Sequence, residues 1–248
     1  MKYFQLNNYQ IEVVISENIE KKFDTHNHIG HYVISLLVHG NVELYKVNEK
    51  IECINGDMFI IPPYISHSVY LSKDSRLISL CIGTSFIEEF CLSMAENVIK
   101  GFMEELYNRD IIDCVQKERF VYALKIIYDL HKNNQMGFED DIVILVSKII
   151  EQSNDELKLD YLAETVFISK YHLIRKFKNS VGMTPHQFHI QNRVRKAQRL
   201  LRNGESIIET TTQMGFYDQS HFNKNFSKVV GISPSEYVDS IKKFTKKF

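Results

Sequence analysis

Apolar and polar positions change rhythm along this chain, dividing it into a stretch of short alternations and a stretch of helical spacing. From about residue 2 to 82, apolar residues alternate or come in short runs: "HYVISLLVHG", "NVELYKV", "KIECI", "DMFIIPP" and "RLISLCIG", separated by Gly, Asn and Asp. Short runs with such breaks predict strands, and their spacing predicts an antiparallel β-barrel or jelly roll. Beyond them, 85–107, 117–132 and 140–154 predict helices. The middle one, "KERFVYALKIIYDLHK", is apolar on most of its circumference, more than a helix lying on one surface needs, so it is either buried in one subunit or a contact between two. Residues 133–137 are polar and contain Gly, which predicts a hinge, and the helix from Asp140 opens the last domain.

The C-terminal third carries one pattern twice. Ser169, Leu173, Phe177, Gly182, Thr184, Pro185 and Phe188 recur as Asp218, Phe222, Phe226, Gly231, Ser233, Pro234 and Tyr237, each 49 positions further on. A repeat of this period marks a duplicated supersecondary unit. Ser169 and Asp218 are N-cap types. Leu173 with Phe177, and Phe222 with Phe226, stack on one helix face. Gly182 and Gly231 suit the left-handed residue that ends a helix. Thr184 to Gln187 and Ser233 to Glu236 are capping boxes with Pro at the first helical position. Upstream, 159–166 and 207–216 predict short helices joined to the next by a tight turn, one residue longer in the second copy. Helix, tight turn, capped helix is the outline of a helix-turn-helix.

The joining segment, 185–203, is helical by pattern, with Ile190, Val194, Ala197 and Leu201 on one stripe and Arg195, Lys196, Arg199 and Arg202 largely off it. At about 1.5 Å per residue it spans about 28 Å, near the roughly 34 Å between successive major-groove openings on one side of B-DNA. Charge agrees with a nucleic-acid surface. The whole chain has a formal net charge of −1, yet from Lys158 onward 16 Lys and Arg stand against 7 Asp and Glu, while the remainder holds 14 against 24.

The region from Leu159 to Tyr237, with Arg193, Ala197, Leu200 and Leu201 on the joining helix and "GFYDQSHFNKNFSKVVGISPSEY" at its end, resembles the DNA-binding domain of the AraC/XylS family of bacterial transcription regulators. The resemblance implies two helix-turn-helix units on one chain. Thr210 and Thr211 depart from it, since the family has a branched aliphatic and an alanine there, and their bulk and hydroxyls are expected to loosen the second unit. With Leu173 and Phe177 inward, the opposite face presents Tyr171, Ile174, Arg175 and Lys178, and the second unit presents Ser220, Asn223, Lys224 and Ser227, with His221 beside them at a family contact position. Arg175 is the candidate for a guanine edge, and Tyr171 and Ile174 for thymine methyls or for packing against protein. Lys170, Lys178 and Lys228 are candidates for phosphate.

In the first half, 23–40 and 56–67 resemble the two conserved stretches of cupin domains, with Tyr64 replacing the usual glycine. Cupins often hold a metal through histidines and a glutamate. His26, His28 and His67 stand at three ligand positions, whereas the glutamate position is Val33 and no acidic residue lies between Asp24 and Glu43. The expectation is therefore a small-molecule pocket lined by His26, His28, His31, Tyr32, Tyr64 and His67, with no resident metal or cofactor.

No apolar run approaches a membrane span, and there is no secretory leader at Met1. Cys53, Cys81, Cys91 and Cys114 show no paired or metal-type spacing, which suits a cytoplasmic chain. No phosphate-binding glycine loop, nucleophile elbow or carboxylate dyad supports catalysis. The expectation is an α+β multidomain protein: a cupin-like sensor barrel (1–84), a helical linker and dimerisation region (85–139) and an all-α domain with two helix-turn-helix units (140–248). Its expected partners are double-stranded promoter DNA, RNA polymerase, a small effector and a second copy of itself. A metal-dependent enzyme fused to a DNA-binding module, or a regulator whose barrel only dimerises, remains open on sequence alone.

Overall fold

The computed structural model describes residues 1–5, 11–46, 49–89, 92–132, 140–154 and 156–245. Cys91 and the expected hinge at 133–137 lie outside the described residues. Short strands fill the first third: β1 (Lys2–Gln5), β2 (Ile11–Glu17), β3 (Lys21–His26), β4 (His31–His39), β5 (Val42–Lys46), β6 (Glu49–Cys53), β7 (Met58–Ile61), β8 (His67–Leu71) and β9 (Arg76–Gly83). They form two antiparallel sheets, one in the order β1-β2-β9-β4-β7 and one in the order β3-β8-β5-β6.

β4 is apolar on both faces because both faces are covered. Val33 and Leu37 join Val42, Leu44, Ile61, Val69, Leu71 and Leu77 between the sheets. Tyr32, Ile34 and Leu36, on the opposite pleat, pack against α1 (Thr84–Glu89), α2 (Leu92–Asn108) and α3 (Cys114–Lys132). Two helices replace the single one expected over 85–107. α3 starts three residues before its expected position, because Asp113 and Gln116 exchange backbone and side-chain hydrogen bonds in a capping box. α3 buries Phe120, Val121, Ala123, Leu124 and Ile127, yet leaves Val115 and Tyr122 exposed at 64% and 66%.

α4 (Asp141–Gln152) opens the helical domain, with Asp140 as its N-cap. Then come α5 (Leu159–Thr165), α6 (Lys170–Val181), α7 (Pro185–Arg202), α8 (Ile207–Gln213), α9 (Gln219–Val230) and α10 (Pro234–Thr245). The caps expected of both copies form: Ser169 accepts from the His172 amide, Asp218 from the His221 amide, and Gly182 and Gly231 are left-handed. Both expected capping boxes close, and a third, Ser206 with Glu209, starts α8. α8 ends at Gln213 rather than 216, where left-handed Gly215 turns the chain.

α7 departs from its expected single stripe. Ile190 is only half-buried, whereas Phe188, Val194, Ala197 and Leu201 are buried together with Gln191, Asn192, Arg193 and Gln198. A helix with polar residues buried on a further face has a third neighbour, and here that neighbour is the barrel. Phe188 belongs to the core of the first unit, with Leu173 and Phe177. Val194, Ala197 and Leu201 belong to the second, with Phe222, Phe226 and Tyr237. Tyr3 of β1 completes that second core, partly buried Met1 and Val14 pack against it, and the Tyr3 hydroxyl donates to the Val230 carbonyl.

Candidate functional site

The two exposed helix faces lie where the repeat put them. With Leu173 and Phe177 fully buried, Arg175 and Lys178 are exposed, Ile174 is half-buried and Tyr171 is 85% exposed. Lys170 pairs with Asp160 at 3.0 Å. On α9, Ser220, His221 and Lys224 are exposed, while Asn223 and Ser227 are half-buried. The His221 ring meets Phe216 edge-on at 5.6 Å. Lys228 does not stand free: it pairs at 3.2 Å with Asp24 of the barrel.

The two turns share two backbone hydrogen bonds and a left-handed residue, and differ in side chain and by one residue in length. In the first, the Phe167 and Ile168 amides donate to the Glu164 and Ala163 carbonyls; in the second, the Gly215 and Phe216 amides donate to those of Thr212 and Thr211. Phe167 and Gly215 are both left-handed, at φ 57° and 64°. An L-residue there costs about 1–2 kcal/mol. A Cβ on Gly215 would lie 2.7 Å from the Asn154 carbonyl oxygen, so only glycine fits. Phe167 instead points into solvent and is 94% exposed.

Between the barrel mouth and α7 lies a cavity of about 190 Å³. Its floor is apolar, with Val33, Phe59, Ile61, Val69, Leu71 and Leu77, and the hydroxyls of Ser35 and Ser79 bond each other there at 2.8 Å. His26, His28, His31 and His67 form its rim, and α7 roofs it with Arg195, Gln198, Arg199 and Arg202. These arginines follow one another by four and three residues, which puts them on one helix face. That spacing was legible in the sequence; what it faced was not.

Tyr32 and Tyr64, expected in the pocket, are elsewhere. Tyr32 follows His31 on β4 and so faces the helices, its hydroxyl 3.2 Å from His131 Nδ1. Tyr64 takes the left-handed conformation, φ 66°, that the glycine it replaces would take, and packs against the first helix-turn-helix core.

The rim is largely buried and the roof is charged. Burial, then the neighbouring His67 and Arg195, holds His26 well below its ordinary pKa. Burial acts likewise on His28, brings His31 to about 3 and brings His67 to about 4. The Nδ1 atoms of His26, His31 and His67 lie 2.8, 3.2 and 2.9 Å from the carbonyls of Asp24, Ile29 and Ile65. Arg195 donates to Gln198 at 2.9 Å and reaches His28 Nδ1 at 3.5 Å. Glu12 of β2 accepts from Tyr237 at 2.7 Å and from Gln198 at 3.1 Å, and lies 3.8 Å from Arg202. Burial opposes the Arg202 charge, but Glu12, Tyr237 and Cys81 together more than offset it and hold the pKa up. The Nε atoms of Arg195 and Arg202 are buried without a hydrogen-bond partner.

A metal was implied by the cupin resemblance through His26, His28 and His67. One ligand atom from each lies within 4.8 Å of the others, whereas tetrahedral zinc at about 2.0–2.1 Å needs them about 3.4 Å apart. Val33 supplies no carboxylate, Glu12 is taken up by Tyr237 and Gln198, and the Arg195 cation lies against the cluster. This donor set does not fit a resident cation.

Comparison with known proteins gives the assembly its context. Residues 8–101 match the AraC-like ligand binding domain, and residues 162–240 match a helix-turn-helix domain. The HTH-type transcriptional regulator MtrA of Neisseria gonorrhoeae is 33% identical over 94 residues, which is 38% of this chain and 31% of MtrA. The Msm operon regulatory protein of Streptococcus mutans is 24% identical over 94% of both chains. Among solved structures, ToxT from Vibrio cholerae shares the fold at a TM-score of 0.58, with 16% identity over 95% of this chain and 99% of ToxT. ToxT bound to an unsaturated fatty acid superposes at 0.55, with 15% identity over 96% of this chain and 97% of ToxT. No helix among the described residues is long and apolar enough to cross a membrane. The chain belongs to the AraC/XylS family of transcription regulators, with an AraC-like ligand-binding barrel ahead of two helix-turn-helix units.

Proposed function

We propose that this regulator grips double-stranded promoter DNA with α6 and α9 in adjacent major grooves, on the domain division 1–84, 85–139 and 140–248. The observation that carries the reading is the pair of exposed faces at equivalent positions, joined by the 18-residue α7. Arg175 reads a guanine edge and Tyr171 and Ile174 meet thymine methyls. Ser220, His221, Asn223, Lys224 and Ser227 serve the second box. Lys170, Lys178 and Lys228 hold phosphates, and Lys228 does so by exchanging Asp24 for DNA. Footprinting of the full-length chain on a duplex recovered from a randomised pool tests this. Two protected segments on one face, about one helical turn apart, are expected, with affinity falling steeply with salt. A single protected groove segment would remove the second unit from the interface.

The effector assigned to the cavity is an amphipathic monocarboxylate. Its tail lies on the apolar floor, His26, His28, His31 and His67 surround its neck, and its carboxylate meets the open donors of Arg195 and Arg202. At roughly 30 Å³ per water the cavity has room for about six waters, the space of a short to medium apolar tail. The unsaturated fatty acid bound by ToxT supports the same chemistry. Thermal unfolding with decanoate, and with decanamide as its neutral control, tests the charge requirement: decanoate raises the midpoint and the amide does not. Equal shifts would remove the arginines from recognition.

Self-association is assigned to the groove between β7 and α3, where Met58, Ile60, Val115, Tyr122 and Ile126 line an apolar surface. Sedimentation of Tyr122→Asp against the wild type tests it, with a shift to monomer expected. No reaction is assigned to the chain; it acts in the cytoplasm, through contact with RNA polymerase, as an activator.

A further inference from the structure

Phe167 breaks two local rules at once. It holds the left-handed turn position that glycine holds in the second unit, and its ring is 94% exposed. Neither feature helps the chain fold: the backbone is strained and the ring buries almost no surface. Strain without packing is where a functional contact is to be sought. The turn's hydrogen bonds are the same in both units, so the turn does not need this ring.

The surroundings say what covers it. Phe167 lies two residues before the N-cap Ser169 of α6, and Tyr171, in the first turn of α6, is 85% exposed. Arg175 and Lys178 continue the exposed surface along the same helix, so the apolar ring stands at the edge of a cationic face. A recognition helix enters the major groove by its N-terminal residues, which brings the preceding turn against the groove wall. We propose that Phe167 is a DNA-contacting residue, packing its ring on the deoxyribose wall of the groove that receives α6 and so positioning the first unit without reading a base. This inference rests on the DNA reading above. The second unit carries no side chain at the matching position, because a Cβ at Gly215 would strike Asn154, and its exposed aromatic, Tyr217, stands one residue before the N-cap instead.

The test is a pair of measurements on full-length Phe167→Gly, using the duplex that the wild-type chain recovers from a randomised pool. Removal of the strain should raise the unfolding midpoint, while loss of the ring should weaken DNA binding about tenfold, as expected for roughly 50–60 Å² of lost apolar contact. The dependence on salt should stay parallel to the wild type, since an apolar contact displaces no counterions. Phe167→Leu should bind between the two. Arg175→Ala separates the two readings. If Arg175→Ala weakens binding while Phe167→Gly binds as the wild type does, the Phe167 contact is overturned and the DNA reading stands. If reporter output falls with DNA binding unchanged, a protein covers Phe167 and the inference is again overturned. If neither variant affects binding, or the wild type recovers no duplex, both readings fall.

Discussion

The two helix-turn-helix units share a backbone plan but sit in different surroundings. The first buries the apolar pair Leu162 and Ala163 against Leu173, Phe177 and Phe188 and has a strained aromatic turn. The second buries Thr210 and Thr211 where the first has Leu162 and Ala163, holds its turn with Gly215, and shares its core with β1 and β2. Barrel groups also enter its polar contacts: Tyr3 donates to Val230, Glu12 accepts from Tyr237, and Asp24 pairs with Lys228. The first unit meets the barrel through fewer groups: partly buried Ile29 and Tyr64 pack against its core, Gln191 bonds the Asn27 amide and Thr25 carbonyl, and Ser66 donates to the Val181 carbonyl. The duplicated fold is thus unequally anchored: the second copy shares its core with two barrel strands, and the first does not. The cavity roof lies on the helix that joins them, and Val229 and Val230 of α9 also line the cavity, so an occupant meets α7 and the second unit.

Glu12→Ala should show the largest effect. It leaves the Tyr237 hydroxyl, Gln198 and Arg202 facing a hole, and removing one partner of a buried charge costs about 3–5 kcal/mol. Gln191→Ala, the matching lesion on the first unit, should cost about 1–2 kcal/mol. Denaturant unfolding of both variants checks the ratio, and equal losses would mean that the barrel holds the two units alike.

Acid should act next. The folded state keeps His31 and His67 neutral down to about 3 and 4, below their ordinary value of 6.5. Below 6.5 the unfolded chain therefore binds protons that the folded one does not, and stability falls as pH drops from 6.5 towards 4. Above 6.5 these groups contribute no slope. Unfolding midpoints across pH 4 to 8 test this, and a flat profile below 6.5 would place the histidines in water.

On DNA, Arg175→Ala should cost about 1–3 kcal/mol on the preferred site and relax one base pair, while Lys178→Ala weakens all sequences alike. Competition binding against single-base variants separates the two behaviours. The smallest effect is a gain: Thr210→Val removes a buried hydroxyl that has no partner, and should stabilise the chain by about 1 kcal/mol. Calorimetry reads its sign, and a loss would mean that the hydroxyl is satisfied.

What was legible in the sequence follows the range of the forces involved. Ser169, Asp218, Gly182, Gly231 and the two capping boxes act within four residues, so their spacing alone placed α6, α7, α9 and α10. The strand runs were equally local, and β4 was readable as a strand although its two faces serve different cores. The cavity was half legible: the rim histidines came from the resemblance to cupin domains, whereas Tyr32 and Tyr64 went elsewhere because strand pleat and a left-handed turn aim them away. The arginine roof was seen only as charge off a stripe. Its role depends on the barrel docking against α7, and contacts such as Glu12 with Tyr237, 225 residues apart, leave no local pattern.

The central claim, that the cavity beneath α7 is coupled to DNA binding, is tested most directly by the affinity of the full-length chain for its recovered duplex with and without saturating decanoate. Coupled sites typically exchange about 1–3 kcal/mol, so the dissociation constant should change by at least about fivefold. The change should vanish in Arg195→Gln/Arg202→Gln. An unchanged constant with decanoate demonstrably bound, or a change that survives loss of both arginines, would contradict the account.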